Sequence, residues 1–303
     1  SRACGARHVP DGRRRGGGLL TMRNVVVYLV RGHEASLAAL ERSLALLKRN
    51  FLPWSPADVL IFHEDNLKAE QLAGRTSGIP VKTALVDFSA IPPEMADLPP
   101  AQRGYRHMCH FFANDIFRRP ELAGYDYYMR LDDDSFILSP LTFDAFARMR
   151  ERRFRYAYRA VLKDRPQACT GLGAVIARHF EAHAHVGFCK PPPPYRIFYT
   201  NFEICDLAWF RGAAWQSYFA AVDRAGGIWK HRWGDAPIRY YGVMNCLPGE
   251  SIWHLVELHY RHLDEWLPGR PTRTFREMLH HYWVMTRFLA VEKAMRVKRT
   301  ASR

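Results

Sequence analysis

The stretch RNVVVYLVRGHEASLAALERSLALLKRN, residues 23–50, joins a strand pattern directly to a helix pattern. Its first part is a β-branched run that stops at Gly32, which is typical of a buried strand. From Glu34 onward, leucines recur at helical spacing, so the second part is predicted to be an amphipathic helix. Those leucines are Leu37, Leu40, Leu44 and Leu47. A strand followed at once by a helix predicts the first unit of an α/β sheet.

Three further apolar runs continue the alternation of strands and helices. They are ADVLIFHED at residues 57–65, VKTALVDF at residues 81–88, and YDYYMRL at residues 125–131. A helical pattern, YRHMCHFFANDIF at residues 105–117, lies between the last two. We therefore expect an α/β fold with a mostly parallel central sheet, flanked by helices, in which ligands gather at the carboxyl ends of the strands.

Three adjacent carboxylates, in LDDDSF, come just past the end of the fourth predicted strand. Adjacent aspartates repel one another and are poor strand formers, so a partner is needed to favour them. Asp132 and Asp134 have the spacing of a DxD motif, and such oxygen ligands suit Mg²⁺ or Mn²⁺ bridging the phosphates of a nucleotide. The other interpretation is a solvated turn or helix cap. An EF-hand is excluded because its required Gly and Glu positions are not filled.

Composition limits the classes of function. The 303 residues are 48% hydrophobic, which suits a packed fold, and 44 Lys+Arg against 30 Asp+Glu give a formal charge of +14. An anionic partner is expected: nucleic acid, a phosphorylated cosubstrate or an acidic membrane surface. No apolar run is long enough for a transmembrane helix, so the chain as given is expected to be soluble. Six cysteines without a CxxC pair leave both disulfides and free thiols open.

The domain plan has three parts. Residues 1–22 are predicted to be a basic flexible tail, residues 23–295 a single catalytic domain, and residues 296–303 a second basic tail. The domain would close with an amphipathic helix at residues 274–295, which either packs on the body or binds a membrane surface.

The second half contains two stretches predicted to be loop-like. In FYTNFEICDLAWFRG, residues 198–212, Glu203 lies among aromatic residues that could stack on a sugar ring, or it is a paired glutamate at a helix start. In GGIWKHRWGDAPIRYYGV, residues 226–243, Asp235 is expected in a turn. His259 and His262 follow, and a lone histidine is more often a satisfied polar residue than a metal ligand.

Together these motifs resemble the fungal Golgi α-1,2-mannosyltransferases, glycosyltransferase family 15. The motifs LVRGHE, YRHMC, YYMRLDDD, TNFEI, FRG, GGIWKHRWGDAP and LHYRH occur in the family's order and at about its spacing. The resemblance runs from about Arg23 to about His262, and the succession of NFEI, GG and RWGDAP is more specific than a DxD motif alone. It implies a GT-A type fold with a mixed, mostly parallel sheet, GDP-mannose as donor, Mn²⁺ as cofactor and retention of anomeric configuration.

The resemblance also implies roles for single residues. Asp132 and His262 would bind the metal, and Glu203 would be the candidate nucleophile or stabilise a cationic sugar. Tyr105 and Asp235 would lie at the reacting centre. Arg31, Arg130 and Asp134 would bind the donor nucleotide or its metal. The acceptor would be a mannose-ended glycan or glycoprotein, extended by an α-1,2 linkage.

Three departures from the family pattern affect these roles. Asp132 to Asp134 replace Glu-Pro-Asp, so which aspartate binds the metal is open. Arg239 stands where the family usually has His, and HYRH leaves His259 as a rival to His262. The alternatives are the same fold with another nucleotide sugar, or a non-catalytic carbohydrate- or nucleic-acid-binding protein. A Golgi or secretory-pathway location follows from the resemblance alone, with membrane attachment only through an anchor outside this sequence.

Overall fold

Twelve strands form three sheets in the computed structural model, which describes residues 23–183, 195–262 and 265–267. The strands are β1 Asn24–Val30, β2 Asp58–His63, β3 Val81–Leu85, β4 Tyr127–Leu131, β5 Ser135–Ile137, β6 Tyr156–Tyr158, β7 Val161–Lys163, β8 Arg196–Phe198, β9 Phe202–Asp206, β10 Ile252–His254, β11 Tyr260–His262 and β12 Glu265–Leu267. The central sheet has the order β10-β6-β9-β4-β1-β2-β3, and two small sheets have the orders β12-β11-β5 and β7-β8.

The described helices lie between these strands and cover the central sheet. They are α1 Glu34–Asn50, α2 Ala69–Leu72, α3 Pro100–His110, α4 Ile116–Arg118, α5 Ala145–Glu151, α6 Leu172–Ala182, α7 Leu207–Phe210, α8 Ala213–Arg224, α9 Gly227–His231 and α10 Asp235–Cys246. A π-helical turn, Phe111–Asp115, joins α3 to α4. Short 3-10 turns occur at Pro93–Met95, Pro120–Leu122, Pro166–Cys169 and Gly249–Ser251.

The central sheet is mixed and mostly parallel, as expected. Strands β3, β2, β1 and β4 run parallel to one another. Strand β9 runs antiparallel to both β4 and β6, while β6 and β10 are parallel. The reversed direction of β9 places its amino end at the same edge as the carboxyl end of β4, where ligand chemistry is expected in an α/β sheet.

Alternating side chains of β1 divide the core into two layers. Val26 and Tyr28 pack with the leucines of α1 on one face. Val25 and Val27 belong to the other face, which is covered by the π-helical turn, α8 and α10. Helix α1 has the predicted bounds because its leucine face is buried and its start is capped: the His33 side chain accepts a hydrogen bond from the Ser36 N–H.

The two loop-like stretches of the second half were predicted wrongly. Residues 198–212 include strand β9 and helix α7, and Asp235 is the first residue of helix α10 rather than part of a turn. All five residues of strand β9 are buried, including Glu203 and Asp206, and charged residues at buried positions are not typical of a central strand, so the sequence did not indicate one. The predicted helix at residues 274–295 and both predicted tails lie outside the described residues, and the domain boundaries stay a prediction.

The cysteines of the described part are free thiols. Cys109, Cys169 and Cys205 are buried and Cys246 is partly buried, while the remaining two cysteines of the sequence lie outside the described residues. Among the helices of the described part, none combines the length and the apolarity that crossing a membrane requires.

A close contact between α8 and α10 gives the first test of the packing. A Cβ atom added at Gly242 would lie 2.4 Å from Tyr218 Cε1 and 2.6 Å from Trp215 Cζ3, both on fully buried rings. We expect Gly242→Ala to lower the free energy of unfolding by about 1–3 kcal/mol because rigid rings must move. The control is Gly104→Ala in α3, whose added Cβ has no neighbour within 4 Å. It should stabilise by about 0.5–1 kcal/mol. Chemical denaturation measures both, and equal effects would contradict the packing.

A bridging histidine beside the π-helical turn gives a pH-dependent test. His110 contacts Asp115 at 2.7 Å and Asp223 at 3.1 Å. Burial lowers the pKa of His110, but the hydrogen bonds to these two carboxylates outweigh it and raise the pKa to about 9. Since the folded pKa exceeds the ordinary value of about 6.5, this stabilisation is complete below about pH 6.5 and is lost as the pH rises through about 9.

We therefore expect His110→Gln to destabilise most at about pH 6 and progressively less towards about pH 10. Denaturant unfolding of both proteins across this range measures the difference. A difference that stays constant with pH would show that His110 contributes only packing.

Candidate active site

The three aspartates form the turn between β4 and β5. The Asp132 N–H donates to the Asn201 carbonyl at 3.3 Å, and the Ser135 N–H donates to the Asp132 carbonyl at 3.0 Å. Strand β11 pairs with β5 so that His262 lies opposite Ser135. The turn therefore comes together with the start of β9 and the end of β11, three segments far apart in sequence.

An imidazole lies between two of the three carboxylates. His262 Nε2 is 3.0 Å from Asp134 Oδ1 and 3.8 Å from Asp132 Oδ2. The other ring nitrogen, Nδ1, is 2.7 Å from the Tyr199 hydroxyl, which fixes the orientation of the ring. Burial raises the pKa of Asp134, but the hydrogen bond and charge of His262 outweigh it, so the net pKa is lowered.

Asp133 has a different environment from its neighbours. Its carboxylate accepts a hydrogen bond from the Ser36 hydroxyl at the start of α1. Burial, together with the charges of Asp134 and Asp132, raises the pKa of Asp133 to about 7. Asp133 thus connects the turn to α1, whereas Asp132 and Asp134 face His262.

The donor set of Asp132, Asp134 and His262 fits a divalent cation. Two carboxylates and an imidazole supply the oxygen and nitrogen ligands that Mn²⁺ accepts. Within the part of the chain that the structure describes, no group of three or more His, Cys, Asp or Glu side chains is already arranged around a metal position. A cation held by these three side chains would have to take its further ligands from a bound molecule, such as a diphosphate.

Arg130 is buried at the carboxyl end of β4 and links two carboxylates. Its Nε donates to Asp132 Oδ1 at 2.8 Å, and its Nη1 donates to Asp235 Oδ2 at 2.6 Å. The guanidinium carbon lies 3.6 Å from the centre of the Phe112 ring. Burial lowers the pKa of Arg130, but the charges of Asp132 and Asp235 outweigh it and raise the pKa further above its usual range. Arg130 is thus a fixed cation beside the aspartate turn.

Asp235 and Tyr105 lie on the helix side of the site. The Thr200 hydroxyl donates to Asp235 Oδ2 at 2.7 Å, in addition to the Arg130 contact. Tyr105 is close to the same helix start, since its hydroxyl would lie 3.6 Å from a Cβ built on Gly234. Burial raises the pKa of Tyr105 well above its usual range, so its hydroxyl stays protonated. The Arg232 guanidinium lies over its ring at 3.9 Å.

Glu203 is placed differently from the other predicted residues. It is 0% exposed on the central strand β9, and its carboxylate accepts hydrogen bonds from the Tyr128 hydroxyl and from Arg239. The alternative of a glutamate at a helix start is wrong, since Glu203 lies within the strand. The same alternative also expected Glu203 to be paired, and the structure does pair it, with Arg239.

The structure brings most of the predicted site residues together. One connected group contains Asp132, Asp134, His262, Arg130 and Asp235, with Tyr105 beside it. Arg31 is exposed and makes no ion pair within the described residues, but its positive charge acts on the aspartate turn: it partly opposes the burial that raises the pKa of Asp133, and it adds to the effect of His262 on Asp134. His259 is 1% exposed, whereas His262 contacts the aspartates, so the geometry favours His262.

Sequence reasoning missed the hydroxyl donors that orient the site. Tyr199 and Thr200 contact His262 and Asp235. Both residues lie in the segment YTNFEI, directly before a buried strand, and that position was a signal that they belong to the sheet edge. Ser36, which binds Asp133, carried no such signal because serine near a helix start usually serves the helix.

Comparison with known proteins identifies the family of the chain. A family model described as glycolipid 2-alpha-mannosyltransferase matches residues 26–190 and 194–277. The alpha-1,2 mannosyltransferase KTR1 of Saccharomyces cerevisiae is 30% identical over 170 residues, covering 52% of this chain and 43% of that protein. Glycolipid 2-alpha-mannosyltransferase 1 of Candida albicans is 29% identical over 170 residues, covering 52% and 39%. The chain thus spans less than half the length of these curated relatives.

Two solved structures share the fold. Mannosyltransferase Ktr4p from S. cerevisiae, in complex with GDP, aligns with a TM-score of 0.74 at 20% identity, covering 88% of this chain and 78% of that one. Core-mannan synthase A from Aspergillus fumigatus, in an Mn/GDP form, aligns with a TM-score of 0.70 at 20% identity, covering 88% and 86%. The expected GT-A type fold is confirmed, and the match of the family model shows that the chain belongs to glycosyltransferase family 15, the glycolipid 2-alpha-mannosyltransferase family.

Proposed function

We propose that this protein is a metal-dependent, retaining α-1,2-mannosyltransferase that transfers mannose from GDP-mannose to a mannose-ended glycan. The observation that carries the proposal is the convergence of Asp132, Asp134 and His262 beside the buried cation Arg130. Family membership and the fold shared with a GDP-bound and an Mn/GDP-bound mannosyltransferase support the donor and the metal. By the same reasoning we place the reaction in the Golgi or secretory-pathway lumen.

Asp132, Asp134 and His262 would hold the Mn²⁺ ion. When bound, the ion supplies charge neutralisation for the diphosphate that leaves. Tyr199 keeps the His262 ring turned towards the two aspartates through its hydrogen bond to Nδ1. His262 Nε2 and Asp134 Oδ1, now 3.0 Å apart, would exchange this direct contact for contacts to the ion.

Arg130 and Asp235 would organise the diphosphate and the sugar. Arg130 is held by Asp235 and by the Phe112 ring, so its position does not depend on Asp132 alone. The Arg130 Nε–H, which donates to Asp132 here, would be the donor for a phosphate oxygen of the bound nucleotide. Tyr105 keeps its proton and can donate a hydrogen bond to the nucleotide-sugar next to the start of α10.

GDP release from GDP-mannose tests the proposed function. We expect turnover that requires Mn²⁺, is absent after chelation, and rises when α-methylmannoside is added as acceptor. UDP-glucose and UDP-galactose are the donor controls. Turnover with a UDP-sugar instead would keep the fold and overturn the donor, while silence with every donor would favour a carbohydrate-binding protein without activity.

The metal assignment has its own test in Mn²⁺ binding. We expect His262→Gln and Asp134→Asn to weaken Mn²⁺ binding in the presence of GDP by at least about tenfold, because each removes a ligand or its orientation. The matched control is Asp133→Asn, which removes an adjacent carboxylate that contacts Ser36. Isothermal titration calorimetry measures all three. An equal loss in the Asp133 variant would show that net charge, and not specific ligation, attracts the ion.

A further inference from the structure

Two charged side chains that face each other between β9 and α10 are almost completely buried. Glu203 is 0% exposed and Arg239 is 1% exposed. Arg239 Nε donates to Glu203 Oε2 at 2.9 Å, and Arg239 Nη2 donates to Glu203 Oε1 at 3.3 Å. The Tyr128 hydroxyl adds a third donor, to Oε1, at 2.8 Å. Both oxygens of the carboxylate are therefore engaged.

The guanidinium of Arg239 is enclosed by aromatic rings. Its central carbon lies 4.8 Å from the ring of Phe117, 4.7 Å from that of Phe210 and 4.7 Å from that of Trp215. The Nη2 group also donates to the Phe112 carbonyl at 2.7 Å. Such a cage stabilises a cation through the ring faces and leaves it no path to solvent. Glu203 is its counter-ion, since an unpaired charge at this depth would be strongly unfavourable.

This pair repeats, with the signs exchanged, the ion pair at the active site. Arg130 of β4 contacts Asp235 of α10, whereas Glu203 of β9 contacts Arg239 of α10. Arg130 and Glu203 are directly opposite in the strand register. Asp235 and Arg239 are four residues apart, so they lie on the same face of the helix. The four charges form a closed set in which each strand charge meets the opposite charge on the helix.

The alternation of signs fixes the position of the helix on the sheet. Shifting α10 by one turn along its axis would place Arg239 against Arg130, or Asp235 against Glu203, with like charges meeting in a buried layer. Phe112 spans the two halves, because its ring faces Arg130 and its carbonyl accepts from Arg239. The position of Asp235 in the site thus depends on the Glu203–Arg239 pair one helical turn further along.

We propose that Arg239 and Glu203 are positioning residues for the transfer reaction, which set helix α10 so that Asp235 and Arg130 meet at the site. Glu203 then does not attack the sugar, since its oxygens are already bonded and its side chain has no exposed surface. This inference rests on the proposed function and assigns Glu203 a role other than that of nucleophile.

Transfer without a glycosyl-enzyme balances as a single front-face displacement. The bond between mannose C1 and the β-phosphate oxygen breaks, and its electron pair stays on GDP. The acceptor hydroxyl oxygen bonds to C1 on the same face, and its proton passes to the departing phosphate oxygen. The products are GDP and the mannosylated acceptor, with configuration retained and no bond between C1 and Glu203.

A double variant separates positioning from nucleophilic attack. Arg239→Met and Glu203→Gln each leave one buried charge unpaired, so we expect kcat to fall about 100-fold in each single variant, while KM for the donor changes little. Combining them removes both charges, and kcat should recover to within about tenfold of the unmodified protein. A nucleophile gives the opposite result, because no variant that lacks the carboxylate can recover.

A conservative variant, mass spectrometry and melting temperatures test the positioning role further. Arg239→Lys keeps the cation and should lose less activity than Arg239→Met. Mass spectrometry of the unmodified protein with GDP-mannose should show no mannosyl adduct on the Glu203 peptide, and an adduct there would overturn the inference. Recovery of the melting temperature in the double variant without recovery of kcat would reduce the pair to a structural contact and overturn the positioning role.

The thermal data also keep this inference separate from the proposed function. If the unmodified protein releases no GDP, the proposed function fails, yet the double-variant cycle of melting temperatures still tests the charge set. Strongly non-additive effects support it and additive effects overturn it. The matched control is the surface pair of the partly buried Arg75 and the exposed Glu34, at 2.9 Å, for which we expect effects that are small and nearly additive.

Discussion

The buried ion pair between Arg130 and Asp235 is the contact on which the candidate active site depends. Moving either charged side chain from water into the core without its partner would cost roughly several kcal/mol, so each residue requires the other. Arg130 also reaches Asp132, and Asp235 also accepts from Thr200. A single cation therefore connects the end of β4, the aspartate turn, the start of β9 and the start of α10.

Much of the fold could be predicted from local patterns. Helix α1 and strands β1, β2 and β4 carry hydrophobic periodicities that tertiary contacts did not override. Strand β9 and the start of α10 could not be predicted in this way. Strand β9 is buried on both faces, and the start of α10 follows Trp233 and Gly234, which indicate a turn when the helix after them is not considered. In both cases long-range packing decides the structure.

The site was predictable to a different extent. The position of Asp132 and Asp134 at a ligand-binding edge could be predicted because ligands bind at the carboxyl ends of parallel strands. The choice of His262 over His259 as the metal ligand needed the family resemblance and then the geometry. The partner of Glu203 was beyond sequence reasoning, because nothing local in IRYYG indicates that Arg239 enters an aromatic cage. Residues 36 positions apart form that pair, and only the completed sheet brings them together.

The reversed strand β9 has a consequence for the order in which the molecule assembles. Strands β1, β2 and β3 are close in sequence and each pairs with the next, so their contacts form at low loop-closure cost. The β4–β9 ladder joins Arg130 to Glu203, and α10 closes the site only after a further long segment. Contacts of high sequence separation form slowly. The active site therefore cannot be complete until the chain as far as His262 is available, well after the contacts among β1, β2 and β3 can form.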